Sequence, residues 1–204
     1  ENISGIGIGV PGRINRKNGL IVLCPNLPMI NNLNLAEIIK KEFNIPVFLE
    51  NDANCALAGE LWLGAANNLE NVALITLGTG IGGAVIIDRK IYHGNTGMAS
   101  EFGHMILNPQ GPECHCGQRG CLEAFWQERT HEDEYLALGL INLWSIFDPE
   151  KIIISGGNAN QNKLHLIEYE IKKYSSMKVI LELAKLGEWS GVVGAAKIAL
   201  DNLK

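Results

Sequence analysis

One stretch of this 204-residue chain concentrates the side chains able to do chemistry: Glu101 to Glu123, EFGHMILNPQGPECHCGQRGCLE. It sets His104, Cys114, Cys116 and Cys121 within eighteen positions, places Gly117 and Gly120 between the last two cysteines, and carries a carboxylate at each end. One imidazole and three thiolates make a complete tetrahedral zinc set, and the glycines let the backbone turn tightly enough for the sulfurs to converge. Four protein ligands leave no open position, so such an ion is structural. The spacing is Cys-x-Cys, then Cys-x4-Cys, with nine residues between His104 and Cys114. That is not a zinc-finger pattern, and His115 is a rival nitrogen ligand. Disulfides are the competing use of these thiols; they fit poorly, because five cysteines is an odd count and nothing marks the chain as secreted.

Three further clusters follow short apolar runs. Val47-Phe48-Leu49 leads straight into Glu50-Asn51-Asp52-Ala53-Asn54. The carboxyl end of a strand is where α/β proteins bind ligands, because loops there open outward while the strand fixes their position. The plainer use of Asn51 or Asp52 is to cap the helix that follows, and the two uses are compatible. Val72 to Leu77 runs into Gly78-Thr79-Gly80-Ile81-Gly82-Gly83, and Ala84 to Ile87 reads as a returning strand. A Rossmann fingerprint requires a helix after its glycines and a P-loop requires Gly-Lys-Ser/Thr, so neither applies. What remains is a strand-turn-strand cradle whose backbone N–H groups and Thr79 hydroxyl can meet phosphate oxygens, or an ordinary hairpin with a long turn. Ile152-Ile153-Ile154 ends in the same way at Ser155-Gly156-Gly157.

The elements that must position these groups read as α/β. Buried strands are expected over Ser4–Val10, Leu20–Leu23, 47–49, 72–77, 84–87 and 152–154, with Pro25-Asn26-Leu27-Pro28 a rigid loop. Helices are expected from Asn34, which has a Glu three positions on; after Asp52; over Leu136–Phe147; and over 191–203, where Gly194, Ala195 and Ala196 permit close packing. The charged run Gln127 to Glu134 reads as a solvated connection. Hydrophobic residues at 47% supply a core, and a net charge of -5 without a basic block argues against an extended nucleic-acid footprint. The apolar run Val72–Ile87 is broken by four glycines and two threonines, and no segment offers the roughly 20 apolar residues needed to span a bilayer. Free-looking Cys24 and Cys55 point to a reducing cytoplasm. The opening Glu1-Asn2-Ile3-Ser4 reads as the interior of a longer chain.

Four motifs in order, Glu50–Asn54, Leu77–Gly83, Glu101–His104 and Cys114–Glu123, resemble the ROK family of bacterial sugar kinases and sugar-responsive repressors. The resemblance implies an actin-like, hexokinase-type ATPase fold, two α/β lobes around a cleft that holds sugar and ATP, with a structural zinc site. It implies that Asp52 is the catalytic base; that Asn51, Asp52, Glu101, His104, Glu123 and Asn26 hold the sugar; and that Gly78, Thr79, Gly80, Gly156 and Gly157 lie against ATP and its Mg²⁺. Zn²⁺ is then held by His104, Cys114, Cys116 and Cys121, with the second ring nitrogen of His104 facing the sugar. Residues 1–133 are expected to form most of the sugar-binding, phosphate-loop and zinc region, and 134–204 the rest of the nucleotide lobe. The implied activity is transfer of the γ-phosphate of ATP to the 6-hydroxyl of a hexose, foremost glucose. An N-acetylhexosamine (GlcNAc or ManNAc) kinase and a sugar-sensing repressor are the alternatives, the latter binding nucleic acid through a helix-turn-helix outside this sequence. A homo-oligomer, dimer or tetramer, follows from the same resemblance.

The sequence departs from the family pattern in three ways. The first phosphate loop, Asp-Gly-Gly-Thr after an N-terminal strand, is absent, and Ser100 replaces the usual glycine before Glu101. Joins between distant segments are expected within Gln127–Glu134 and between Ile167 and Lys185.

Overall fold

The computed structural model describes residues 3–203. β1 (Ile6–Val10) is followed by a small antiparallel hairpin, β2 (Arg13–Asn15) and β3 (Leu20–Leu23). Asn34 then caps α1 (Leu35–Phe43) by accepting from the Glu37 N–H at 3.1 Å, and Asn44 ends the helix in the left-handed conformation, φ 53°. β4 (Val47–Asn51) lies parallel to β1, with Val10 opposite Asn51, and leads directly into α2 (Asp52–Leu63).

The second half is built on a five-stranded sheet of β5 (Val72–Leu77), β6 (Ile81–Ile87), β7 (Lys90–Ile91), β8 (Lys151–Ser155) and β9 (Leu181–Leu183), in the order β7-β6-β5-β8-β9. β5, β8 and β9 run parallel, while β6 returns antiparallel to β5 through the glycine turn. Both faces of this sheet are covered, which is why its strands read as unbroken apolar runs. Ala73, Ile75, Leu77, Val85, Ile152 and Ile154 face a core closed by α3 (Leu122–Glu128), α4 (Glu132–Phe147) and α5 (Gln161–Tyr174). Their neighbours Val72, Leu74, Ala84, Ile86 and Ile153 face α2 instead. Among the described residues no helix is long and apolar enough to cross a membrane.

α6 (Ser190–Asn202) packs against α2 on one side and against β1 and β4 on the other, so this helix pair joins the two sheets. A Cβ on Gly194 would overlap the Cys55 carbonyl, and one on Gly59 would overlap the Ser190 carbonyl. The close packing expected from the glycines and alanines of the last helix is therefore a backbone-to-backbone contact. Glu60 locks the approach. Fully buried, its carboxylate accepts from the N–H groups of Ala65, Lys185 and Leu186 and from the Ser190 hydroxyl at 2.6–3.0 Å.

Three sequence expectations need correction. The charged run is not a plain solvated connection: Gln127 and Glu128 end α3, and Glu132, Asp133 and Glu134 form the first turn of α4, where negative charge suits a helix N-terminus. Lys163 of α5 pairs with Glu132 and Asp133 at 2.8 and 2.7 Å, so α4 starts four residues before the predicted Leu136. The helix α5 and the strand β9 were not predicted; the span from Ile167 to Lys185 holds the end of α5 and all of β9. α5 runs without interruption to Tyr174, buries Leu164, Ile167 and Ile171, and reaches β9 through a short connection. The β2 strand was also missed, because three residues carry too little pattern to read.

Candidate active site

The segment from His104 to Cys121 folds back on itself. Leu107 N–H donates to the Gly120 carbonyl at 2.8 Å, Cys114 N–H to Gln118 at 2.8 Å and Gly117 N–H to Cys114 at 2.9 Å, with isolated bridges pairing Ile106 with Cys121 and Glu113 with Arg119. These turns gather one donor atom each from His104, Cys114, Cys116 and Cys121, all within 4.8 Å of one another. Zinc bonds of about 2.3 Å to sulfur and 2.0 Å to nitrogen require tetrahedral edges of roughly 3.5–3.8 Å. The Cys116–Cys121 Sγ separation and the Cys114 Sγ to His104 Nδ1 separation are both 3.7 Å. The donor set thus fits a zinc-sized ion and excludes a disulfide, whose sulfurs lie about 2.05 Å apart. Burial and the neighbouring sulfurs of Cys116 and Cys114 push the Cys121 thiol up to about 12, the response of crowded thiols to one another that a divalent cation reverses. His115 is exposed and outside the set.

His104 turns Nδ1 to the Cys114 sulfur, which leaves its other nitrogen outside the donor set. Glu101 keeps a solvent-facing edge but is crowded by protein elsewhere, and this desolvation raises its pKa. His104 opposes the rise while Asp52 and Glu123 add to it, so these three groups lie within electrostatic reach of Glu101. Asp52 is exposed at the first position of α2, at the carboxyl end of β4. Asn51 is the cap: its Oδ1 accepts from the N–H groups of Ala53 and Asn54 at 3.0 and 3.3 Å, and its Nδ2 donates to the Gly12 carbonyl at 3.4 Å. Asn26 stands apart, exposed on the turn after β3, and among the described residues no hydrogen bond joins it to the others. Ser100, where the family pattern has glycine, adopts φ 69°, and its Oγ is buried without a partner.

Glu123 connects this group to the glycine turn, since its Oε2 accepts from the Ile81 N–H at 2.8 Å. Within the turn Gly78 N–H donates to the Gly80 carbonyl at 3.1 Å, while among the described residues the N–H groups of Thr79 and Gly80 have no acceptor. Gly156 lies against the start of the same turn. Its φ is 97°, and a Cβ there would meet the backbone of Leu77 at 2.5 Å, whereas Gly157 faces open space. The parallel pairing of β5 with β8, Thr76 opposite Ser155, is what brings the two glycine turns to one edge.

Sequence reasoning missed the supports of these groups. Glu50, 2% exposed, bonds Arg16 Nε at 3.0 Å, His93 Nε2 at 2.9 Å, Asn54 Nδ2 at 3.0 Å and the Asn51 N–H at 2.9 Å. Although burial works the other way, His93, Asn54 and Arg16 hold its carboxyl below its ordinary range. The signal was present: a carboxylate directly after an apolar strand must find partners. Trp126 and Asn158 are the other two, donating to the Gly78 carbonyl at 3.0 and 3.1 Å. No local pattern marked either.

The model of the ROK family matches residues 1–133 and 129–202, two segments that meet in the charged run. The glucokinase of Thermotoga maritima is 45% identical over 124 residues, 61% of this chain and 39% of that protein. The xylose repressor of Bacillus subtilis is 32% identical over 237 aligned positions, 97% of this chain and 61% of the repressor, so it carries residues with no counterpart here. A ROK family glucokinase from Streptomyces griseus, solved with glucose and AMPPNP, superposes with a TM-score of 0.83 at 27% identity, over 98% of this chain and 82% of that one. The chain therefore spans less than two thirds of the curated relatives named here, and its fold is the α/β, hexokinase-like fold of these structures.

Proposed function

This chain belongs to the ROK family, and on that premise we propose that it is the larger part of an ATP-dependent sugar kinase acting on the 6-hydroxyl of a hexose, foremost glucose. The observation that carries the proposal is Glu123: one carboxylate borders both the Glu101–His104–Asp52 group and a glycine turn with two unpaired backbone N–H groups. A polar cluster suited to sugar hydroxyls and a cradle suited to phosphate oxygens thereby share a wall. Asp52 accepts the hydroxyl proton, the sugar oxygen bonds to the γ-phosphorus, and the bond to the β,γ-bridging oxygen breaks to release ADP. Asn51, Glu101, His104 and Glu123 orient the sugar, and Asn26, which stands apart from them, is the least supported of the sugar ligands. The Thr79 and Gly80 amides and the Gly156-Gly157 turn meet the nucleotide, whose Mg²⁺ neutralises phosphate charge. His104, Cys114, Cys116 and Cys121 would hold zinc, whose part would be to keep Glu101, His104 and Glu123 in place rather than to enter the reaction.

ADP release by the complete native protein is the test, with glucose, mannose, N-acetylglucosamine and N-acetylmannosamine as acceptors and Asp52→Asn beside the native chain. Turnover of one sugar is expected, with kcat about 10² to 10⁴ lower in the variant and sugar binding retained. Equal turnover by the variant removes Asp52 from the mechanism. A second reading, a sugar-sensing repressor, is favoured by the repressor likeness over 97% of this chain. It predicts a sugar that raises thermal stability without any turnover.

A further inference from the structure

Two donors from separate elements converge on the Gly78 carbonyl. Trp126 Nε1–H of α3 reaches it at 3.0 Å, and Asn158 Nδ2–H, just after the Gly156-Gly157 turn, at 3.1 Å. In a trans peptide the carbonyl of one residue and the N–H of the next point in opposite directions, and no peptide bond here is cis. Fixing the Gly78 oxygen inward therefore fixes the Thr79 N–H outward. Thr79 is exposed and, among the described residues, its N–H has no acceptor, so the amide faces outward toward an acceptor from solvent.

The same helix also grips the far end of the turn. Glu123 and Trp126 are three residues apart in α3, hence on one face, and they take the Ile81 N–H and the Gly78 carbonyl respectively. Trp126 has little freedom to release its hold. It is 1% exposed, with the Arg129 guanidinium 4.7 Å and the Lys163 ammonium 5.2 Å from its ring centre, and Lys163 is itself pinned by Glu132 and Asp133. Asn158 is held through its own backbone, its N–H donating to the Leu77 carbonyl at 3.0 Å.

The geometry points to Trp126 and Asn158 as positioning residues that lock the Gly78–Thr79 peptide with its amide facing the polyphosphate. This rests on the nucleotide reading of the glycine turn. Neither side chain touches the reacting atoms. Their contribution is that the amide meets phosphate without first reorganising, which strengthens nucleotide binding while leaving sugar binding alone.

The test uses the complete native chain, Asn158→Leu, which removes the donor at a half-buried position, and Trp126→Phe, which keeps an aromatic ring and loses the N–H. AMPPNP and glucose affinities are measured by calorimetry. In parallel, the Thr79 amide resonance is followed in the ligand-free protein by nitrogen–proton NMR. Loss of either donor is expected to weaken AMPPNP binding about tenfold, the worth of one such bond, with the sugar Kd and the melting temperature of Asn158→Leu unmoved. The Thr79 cross-peak should shift or broaden in both variants while those of Cys121 and Glu123 stay in place. The assignment is overturned if Asn158→Leu binds AMPPNP within twofold of the native chain, or if the Thr79 resonance is unchanged in both variants. A native chain that binds sugar but no AMPPNP refutes the nucleotide reading instead, and the resonance alone then decides the lock.

Discussion

In the proposed site Glu101, His104, Glu123 and Asp52 would act through side-chain atoms, whereas Gly78–Gly80 and Gly156-Gly157 would act through the backbone. The two sides are accordingly held in different ways. On the side-chain side a closed set of three sulfurs and one imidazole nitrogen fixes the flanking carboxylates, since Cys121 sits at the N-cap of α3 and Glu123 in its first turn. On the backbone side no ion is needed. Strand pairing delivers the two turns to one edge, and hydrogen bonds donated by Trp126 and Asn158 to Gly78 and accepted by Glu123 from Ile81 set the orientation of the first. Side chains are positioned by what binds them, and backbone by what surrounds it.

Stripping the metal should separate the two sides most sharply. A closed zinc site contributes directly to folding, so chelation is expected to lower the melting temperature by about 10 °C or more and to abolish sugar binding, both restored by added Zn²⁺. Metal analysis with thermal melts checks this, and a chelator-treated protein that melts unchanged would show the sulfur cluster to be idle. Gly156→Ala probes the other side. With φ at 97° and the Leu77 backbone in the way of a Cβ, the substitution should cost about 1–3 kcal/mol. It should weaken ATP binding about tenfold or more while the sugar Kd holds; calorimetry with each ligand decides.

The smallest effect on stability is expected from Glu101→Gln. The folded chain raises this carboxyl above its ordinary 4.5, chiefly by burial and also through Asp52 and Glu123. The charged form is thus disfavoured by folding: the penalty is full above the raised pKa and vanishes below the ordinary value. Melting curves across pH should find the glutamine variant slightly more stable than the native chain near neutrality. The difference should close as the pH falls to about 4, and sugar affinity should be lost throughout. A variant less stable at every pH would mean that Glu101 makes a net favourable contact as a carboxylate.

The side-chain half was legible because residue type and spacing report chemistry directly, so His104, the three cysteines and the two flanking glutamates could be named before any fold was known. Spacing alone left His104 and His115 both open, since the choice depends on which way a turn faces; the family resemblance chose His104, and the donor cluster bears that out. The strands 47–49, 72–77 and 152–154 were readable as apolar runs. α5 was not, because its face of Leu164, Ile167 and Ile171 lies among Lys, Glu, His and Tyr in a helix only half covered. Asn158 and Trp126 were invisible for a different reason: a donor to a distant carbonyl leaves no periodicity, and its meaning exists only once β5, β8 and α3 are assembled.

α3 touches the sugar-side carboxylates at Glu123 and the glycine turn at Glu123 and Trp126, and thermodynamic linkage gives that a consequence. If sugar and nucleotide bind as proposed, any displacement of α3 on sugar binding would alter the pose of the Thr79 amide, and by reciprocity nucleotide binding would change sugar affinity by the same factor. A helix of seven residues is short enough to move as one body. Substrate order would then be a property of where α3 rests before either ligand arrives.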